Sequence, residues 1–469
     1  MAKVNVKRNA TMQLQRLPSH SGWAICARQM AQFFLPKHFL APRPFLLLLG
    51  CLFGAKNLSL AQGASLASSE WSEAPAGGTL TKFVQSAVAK YLPMALAWEE
   101  RAPEPRRAVA ENLIVVTADG LRWQEVFRGV PLMSPLAGAV VAGSNDNEGL
   151  AREDLMPFFW KTLAGHGQVY GNRMHGNEVR VANRMRISYP GYSEILCGYP
   201  DDSRIVLNSK KQNPNRTVFE WLNHQRRYCG RVAVFGSWEL FPYIFNETRS
   251  GIPVNAGFEP IQPRGSMPLT AEQKRLNDLL DSTPRRWEEH VRPDTLTWAF
   301  AKEHLERRQP RVVFLGFGET DEFAHEGNAA GYLQAIARFD SLLGEIWRFI
   351  ESNDHYRGKT ALLITTDHGR GRNNWRAHNP LAPGSEETWF AVASPDIEAK
   401  GEVRSAGHIR HEQFAQLMLR LLGLDHDDAA HPMAPAPEVV FEKSKALFAL
   451  PQVGSGVSTL SGDVGLGQH

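Results

Sequence analysis

The chain has 469 residues, a formal net charge of +3 and a hydrophobic content of 43%. This length is enough for one large α/β domain with insertions, or for two domains. The net charge is too small, and basic residues too scattered, to indicate a nucleic-acid-binding protein, so we expect no nucleic-acid partner.

Residues 1–61 have the pattern of a targeting segment. Basic residues precede an apolar run at 44–55 that is too short to span a membrane, and residues 59–61 offer a small-x-small cleavage site. We therefore expect export to the periplasm or the medium. Because the apolar run begins late, translation could start at Met30. Two alternatives stay open, a lipoprotein signal with Cys51 as the lipid-bearing residue, and a buried helix.

Four cysteines are present in the sequence. Cleavage after Ala61 would remove two of them and leave Cys197 and Cys229. In an oxidising compartment these two could form a disulfide, and two buried free thiols are the alternative.

The chain outside the targeting segment divides into three parts. The composition predicts a partly helical lead-in and a linker at 62–110, the catalytic domain at 111–425, and a poorly ordered tail at 426–469. Strand patterns alternate with helical ones, which predicts a mostly parallel sheet covered on both faces. The strand patterns lie at 113–118, 231–235, 312–316, 361–366 and 388–393, and the helical ones at 153–165, 216–226, 286–308, 329–351 and 411–423. The segment 237–290 is longer than a normal crossover, so we expect a cap-like insertion over the active-site edge.

Three of the apolar runs end at or shortly before an aspartate. These residues are Asp119, Asp321 and Asp367. In open α/β sheets the ligand site lies outside the carboxyl ends of the strands, so the three carboxylates should meet at one edge. Taken alone, Asp119 could be a turn residue, and Asp321 a helix-capping acid.

Histidines accompany two of these aspartates. His325 follows Asp321 by four residues, which places both on one face of a helix, and His368 directly follows Asp367. Aspartate and histidine together are ligands for zinc or a similar divalent ion. His378 lies ten residues after His368 on the same loop. His408 and His411 are the alternatives, although His411 more naturally opens the helix that follows it.

The ordered set of acids, histidines and an intervening serine resembles the alkaline phosphatase superfamily over residues 111–424. The resemblance implies an alkaline-phosphatase-like three-layer α/β/α fold with a mostly parallel central sheet and an inserted cap region. It also implies two divalent metal ions, expected to be zinc. One ion would be held by Asp321, His325 and His378, and the other by Asp119, Asp367 and His368.

Members of this superfamily carry a nucleophile between the first aspartate and the second cluster. Here the resemblance assigns that role to Ser188, which precedes an aromatic residue and a proline, with Ser193 as the competitor. A helix after the proline would place Ser188 near its N-terminus, which favours an anion; a capping serine is the structural alternative. The family also uses an asparagine about twenty residues later to hold a phosphate oxygen, a spacing that matches Asn208. Asn213 and Asn215 are nearby alternatives.

The chain departs from one pattern within the superfamily, and this reduces the number of activities that the resemblance allows. Sulfatases have an arginine four residues after the nucleophile, where this chain has Tyr192, so a sulfatase is disfavoured. We therefore predict a metal-dependent hydrolase of small phosphoric esters, a phosphodiesterase or phosphatase, that acts through a phosphoserine. The alternatives are a sulfatase, a phosphotransferase or mutase, and a non-catalytic metal-binding protein of the same fold.

Overall fold

The computed structural model describes residues 110–140, 149–263, 266–287, 290–424 and 433–441. The predicted targeting segment and lead-in, and most of the predicted tail, lie outside the described residues. By its internal contacts the chain divides into two units, 1–106 with 224–230, and 107–223 with 231–469. Of the first unit, only residues 224–230 are described. The description below concerns the second unit.

The described strands form two sheets, one of eight strands and one of three. In chain order they are β1 Asn112–Ala118, β2 Gln168–Tyr170, β3 Asn177–Arg180, β4 Val232–Gly236, β5 Val254–Ala256, β6 Val312–Phe317, β7 Thr360–Thr365, β8 Glu387–Thr388, β9 Phe390–Ala393, β10 Gly401–Glu402 and β11 Gly407–Arg410. The large sheet has the order β10-β2-β9-β7-β1-β6-β4-β5, and the small one β11-β3-β8.

The large sheet is mostly parallel, as predicted. Strands β7, β1, β6, β4 and β5 run parallel to one another, whereas β9 is antiparallel to its two neighbours, β7 and β2. In the middle of the sheet, Thr117 of β1 pairs with Gly316 of β6 and with Thr365 of β7. The three central strands therefore end at the same level, and the residues that follow them are neighbours.

Helices cover the large sheet. Their bounds are α1 Trp123–Arg128, α2 Arg152–Leu155, α3 Ala164–His166, α4 Ser188–Cys197, α5 Val218–Asn223, α6 Phe241–Ile244, α7 Glu247–Ser250, α8 Ala271–Ser282, α9 Asp294–Arg308, α10 Glu319–Glu326, α11 Ala329–Ser352 and α12 Phe414–Leu421. Short 3-10 turns lie at Ala137–Ala139, Arg173–His175, His411–Gln413 and Glu438–Phe441, and a π-helical turn at Phe159–Leu163. None of the helices in the described part of the chain combines the length and apolar character needed to cross a bilayer.

Both faces of the central strands are buried, which explains why their sequences are mostly apolar and do not alternate with polar residues. On β6, Val313 and Leu315 pack in one core cluster with Trp298 of α9 and Ile336 of α11. The intervening Phe314 points to the other face, where its ring contacts those of Tyr192, Phe219, Phe241 and Phe245. The fold therefore has three layers, with helices on each side of the sheet, as the resemblance implied.

The structure differs from the predicted elements in three places. The pattern at 153–165 is not one helix but α2, the π-helical turn and α3. The pattern at 286–308 becomes helical only at Asp294, because Pro293 occupies the N-cap with extended dihedral angles. The pattern at 388–393 is divided between β8 of the small sheet and β9 of the large one.

Two further features bear on the predicted organisation. Within 237–290, expected to form a cap, β5 pairs in parallel with β4 and extends the central sheet, so only part of this segment is available to cover the site. Cys197 is a buried free thiol, so it does not form a disulfide with Cys229.

Candidate metal centre

The carboxylates that follow the three central strands converge at one edge of the sheet. Asp119 follows β1, Asp321 lies in α10 after β6, and Asp367 follows β7. All three are buried. Gly120 makes their approach possible. It has a φ of +61°, and a Cβ at this position would lie 2.5 Å from Asp321 Oδ1. Only glycine fits this turn without displacing the carboxylate.

One group of donor atoms comes from Asp119, Asp367 and His368, whose ligand atoms lie within 4.8 Å of one another. His368 Nε2 is 3.4 Å from Asp119 Oδ1 and 3.4 Å from Asp367 Oδ2. Its Nδ1 lies 2.9 Å from the carbonyl oxygen of Gly369, to which it donates. This bond leaves the lone pair of Nε2 directed at the carboxylates, the arrangement of a metal-ligating histidine.

A second group, which shares His368, contains Asp321 and His378, with ligand atoms again within 4.8 Å. His378 Nδ1 is 3.2 Å from the carbonyl oxygen of Arg186, so its Nε2 also faces the centre. His325 lies beside this group, half exposed. Its Nε2 is 2.9 Å from Asp321 Oδ2 and 2.9 Å from His378 Nε2. The structure thus brings together all six predicted ligands.

The electrostatics of the cluster indicate which kind of ion it can bind. Burial, and then the neighbouring carboxylate, raise the pKa of Asp119 and of Asp367 well above the usual range. Burial would also raise the pKa of Asp321, but the Arg370 guanidinium, followed by the nearby histidines, holds it well below that range. Asp367 Oδ2 is buried and accepts no hydrogen bond from the residues that the structure describes. A carboxylate in this condition needs a cation, so the oxygen- and nitrogen-rich donor set fits a divalent metal ion.

Ser188 is the first residue of α4 and is buried at this centre. Its Oγ lies 3.4 Å from Asp119 Oδ1 and 3.3 Å from His368 Nε2. The competing Ser193 lies one and a half turns further along the same helix. There its Oγ contacts Asn213 Nδ2 at 3.2 Å and Cys197 Sγ at 3.7 Å. Of the two serines, only Ser188 faces the metal ligands.

Asn208 is the asparagine that the structure places beside Ser188. Its side-chain carbonyl accepts a 2.9 Å hydrogen bond from the backbone N–H of Tyr189, and the residue is exposed. The alternatives are engaged elsewhere: Asn213 donates to the carbonyl of Ile244, and Asn215 donates to the carboxylate of Asp201.

The two alternative histidines lie outside the donor groups. His408 is 78% exposed and pairs with Glu178 at 3.1 Å. His411 begins the 3-10 turn that leads into α12, as expected, and is completely buried. Neither residue shares a donor group with the aspartates.

Two residues at the site had no predicted role. Tyr192 donates a 3.1 Å hydrogen bond to Asp119 Oδ2 from the second turn of α4. The fully buried side chain of Arg370 reaches Asp321. Arg370 directly follows the Asp-His-Gly sequence, a position that was visible in the chain. Tyr192 was recognisable only as a helix residue on the same face as Ser188.

Gly191 allows α4 to approach the end of β7, and we expect Gly191→Ala to impair both stability and activity. A Cβ there would lie 2.4 Å from the backbone oxygen of Asp367, which cannot move without moving a metal ligand. Overpacking of this kind costs about 1–3 kcal/mol of the free energy of unfolding. Denaturant unfolding and turnover measure the two effects. Gly165→Ala is the control, because nothing lies within 4 Å of a Cβ at that position.

His411 predicts a pH dependence of stability. Burial, and then the electrostatic effect of the nearby His368, lower its pKa to about 3, and neither ring nitrogen has a hydrogen-bond partner among the described residues. The neutral form therefore stabilises the fold above the unfolded pKa of about 6.5, and this stability is lost as the pH falls below it.

Between pH 6.5 and pH 5 the loss from His411 should be about 2 kcal/mol, at about 1.4 kcal/mol per pH unit. We expect His411→Met, which cannot protonate, to be less sensitive over this interval. Denaturant unfolding of both proteins in chelator tests this, because chelator removes the pH dependence of metal binding. Equal slopes for the two proteins would contradict the assignment.

Comparison with known proteins agrees with this geometry. The sequence model of the metalloenzyme superfamily matches residues 291–379. This stretch contains five of the six proposed ligands, Asp321, His325, Asp367, His368 and His378. The match therefore agrees with the metal-binding role that the motifs indicated.

One curated relative is GPI ethanolamine phosphate transferase 1 of Gibberella zeae, 25% identical over 360 residues, which cover 71% of this chain and 32% of that protein. The chain spans about a third of the length of the curated relatives it matches. Among solved structures, the lipoteichoic acid synthase LtaP from Listeria monocytogenes has a TM-score of 0.46 and 11% identity, covering 70% of this chain and 76% of that one. An alkaline phosphatase superfamily protein from Vibrio parahaemolyticus has a TM-score of 0.43 and 16% identity, with coverages of 70% and 72%.

Proposed function

We propose that this chain, an alkaline-phosphatase-like metalloenzyme in its fold and ligand motifs, hydrolyses small phosphoric esters with Ser188 as the nucleophile. The observation that carries the proposal is the position of Ser188 Oγ. It lies at the start of α4, within 3.4 Å of Asp119 and 3.3 Å of His368, which belong to the candidate metal centre. A hydroxyl held between metal ligands is suited to activation as a nucleophile.

Metal ions held by the six ligands, proposed to be two zinc ions, would supply Lewis acidity and charge neutralisation. Ser188 Oγ forms a bond to phosphorus while the bond to the leaving oxygen breaks, and the serine proton ends on the leaving alcohol. The product of this step is a phosphoserine. Water then attacks phosphorus, the Ser188 Oγ–phosphorus bond breaks, and the serine regains a proton.

Asn208 is proposed to hold a phosphoryl oxygen during both steps. Because its carbonyl accepts from the Tyr189 N–H, its amide NH₂ group remains to donate to substrate. Ser188 is the first residue of α4, and the positive end of the helix dipole adds positive potential on the same side.

A second candidate is a phosphotransferase, in which an alcohol rather than water accepts the group from the phosphoserine. The matched curated relatives, which are named ethanolamine phosphate transferases, favour this candidate. The first half of the reaction would be the same, so the site geometry supports both. A sulfatase remains disfavoured, because Tyr192 occupies the position of the sulfatase arginine and its hydroxyl bonds to Asp119.

The setting of the activity is also a proposal. The apolar run at 44–55 supports export by an N-terminal signal, to the periplasm or the medium. The expected partner is a small phosphate ester, and membrane attachment is expected only if Cys51 carries a lipid.

The test is a paired assay of the zinc-loaded protein with p-nitrophenyl phosphate and bis-p-nitrophenyl phosphate, and with a sulfate ester as control. Turnover of either phosphate ester supports the hydrolase, and the preferred ester selects between phosphatase and phosphodiesterase. The same reactions with added ethanolamine or glycerol test the transferase, which would pass the group to the added alcohol. From p-nitrophenyl phosphate it would form a new phosphomonoester instead of free phosphate, and from bis-p-nitrophenyl phosphate a new phosphodiester instead of p-nitrophenyl phosphate. Preference for the sulfate ester would overturn the proposal.

A further inference from the structure

Arg370 is a buried cation inside the candidate metal centre. Its side chain is completely buried, and Nη1 donates to Asp321 Oδ1. A Cβ on Gly120 would lie 2.8 Å from Nη1, so the guanidinium packs against the turn that carries Asp119. Arginine keeps its charge at all ordinary pH values. Three carboxylates of the site therefore share one permanent positive charge supplied by the chain itself.

The other nitrogens of Arg370 bind the loop that carries His378. Nε donates to the carbonyl of Trp375 at 2.8 Å, and Nη2 donates to the carbonyl of Arg376 at 2.6 Å. These carbonyls lie three and two residues before His378. One side chain thus connects Asp321, which comes from α10, with the loop of His378, which follows β7. The loop also has its own backbone bond, from Gly371 N–H to the carbonyl of Ala377 at 2.8 Å, and His378 Nδ1 contacts the Arg186 carbonyl at 3.2 Å. Arg370 adds a direct link from this loop to the carboxylate of Asp321.

We propose that Arg370 is a positioning residue for the metal site of Asp321 and His378. It holds the carboxylate and the imidazole loop in the relative positions that a metal ion requires, and so raises the affinity of the site. The proposal rests on the proposed metal binding, but not on the identity of the substrate. Groups that orient metal ligands typically change metal affinity by about 10–100-fold when they are removed.

The opposite effect is physically possible, which makes the proposal testable. A cation that contacts Asp321 also competes with a metal ion for that carboxylate. If competition dominated, removal of Arg370 would strengthen metal binding. We expect positioning to dominate, because its three hydrogen bonds fix both ligands, and these ligands come from different elements.

The experiment is a zinc titration against a competing chelator, with the full chain and its Arg370→Met variant. We expect one of the zinc ions to bind about 10–100-fold more weakly in the variant. The d–d absorption bands of the cobalt-substituted proteins should change as well, because they report ligand geometry. Unchanged or tighter zinc binding would overturn the proposal.

Arg372→Met is the matched control, because Arg372 lies on the same loop but is 56% exposed and pairs with Glu387. We expect its zinc affinities to equal those of the unmodified chain. Arg370→Lys keeps the charge but cannot reach Asp321 and both carbonyls together, so it should recover only part of the affinity. Full recovery of zinc affinity in Arg370→Lys would contradict the linking role. The Lys variant also keeps the proposal testable if the Met variant fails to fold. If the unmodified chain bound no zinc, the proposed function itself would fail.

Discussion

Ser188→Ala is expected to reduce turnover of the preferred phosphate ester by at least about 10⁴-fold, the order of effect for loss of a nucleophile. Ser188 Oγ lies 3.4 Å from Asp119 Oδ1 and 3.3 Å from His368 Nε2. No other hydroxyl among the described residues contacts both of these side chains, so none can replace it. The metal ligands are untouched, so the zinc content and the midpoint of thermal unfolding should stay the same. Steady-state kinetics and metal analysis of the variant measure these quantities.

Ser193→Ala is the matched control for this prediction. Ser193 is equally buried and lies on the same helix, but its hydroxyl contacts Asn213 and Cys197 instead of the metal ligands. We expect a modest loss of stability, about 1 kcal/mol for a buried hydrogen bond, and activity within a few-fold of the unmodified chain. Full activity in Ser188→Ala would remove Ser188 from the mechanism.

The central sheet could be predicted from the sequence because its strands are long and buried on both faces. The run 312–316 is wholly apolar and the run 113–118 has Thr117 as its one polar residue, and β1 and β6 were found within one residue of these limits. The strands that were missed, β2, β3, β5, β10 and β11, have two to four residues. A segment this short does not complete enough of an alternating pattern to be distinguished from a loop.

The candidate site followed from the same logic only in part. Parallel strands that end level place Asp119 and Asp367 side by side, and this can be inferred from sequence alone. The contact between Arg370 and Asp321 cannot, because it depends on how the loop after His368 folds back upon α10. His325 is half exposed and lies beside the compact donor groups. Its four-residue spacing from Asp321 does not predict this position.

Asp367→Asn is expected to have opposite effects on stability with and without metal. In chelator, burial and then Asp119 raise the pKa of Asp367. The contribution of this carboxyl to the free energy of unfolding therefore falls as the pH rises above about 4, the usual pKa of aspartate. Asparagine cannot ionise, and its side-chain oxygen can still accept the 3.1 Å hydrogen bond from Gly120 N–H. The metal-free variant should therefore be the more stable protein at pH 8.

With zinc the order should reverse. Free zinc at 100 times its dissociation constant stabilises a folded chain by about 2.7 kcal/mol per site, and Asp367→Asn should lose this gain at the site that contains Asp119 and His368. Thermal unfolding of both proteins in chelator and in zinc, at pH 5 and pH 8, measures the effect of the substitution on stability under each condition. Asp340→Asn is the control, because Asp340 is also a buried carboxylate but lies outside the donor groups and accepts hydrogen bonds from the backbone N–H groups of Phe158 and Phe159. A full zinc response in Asp367→Asn would show that Asp367 is not a ligand, since a ligand cannot be neutralised without weakening the metal site that it forms.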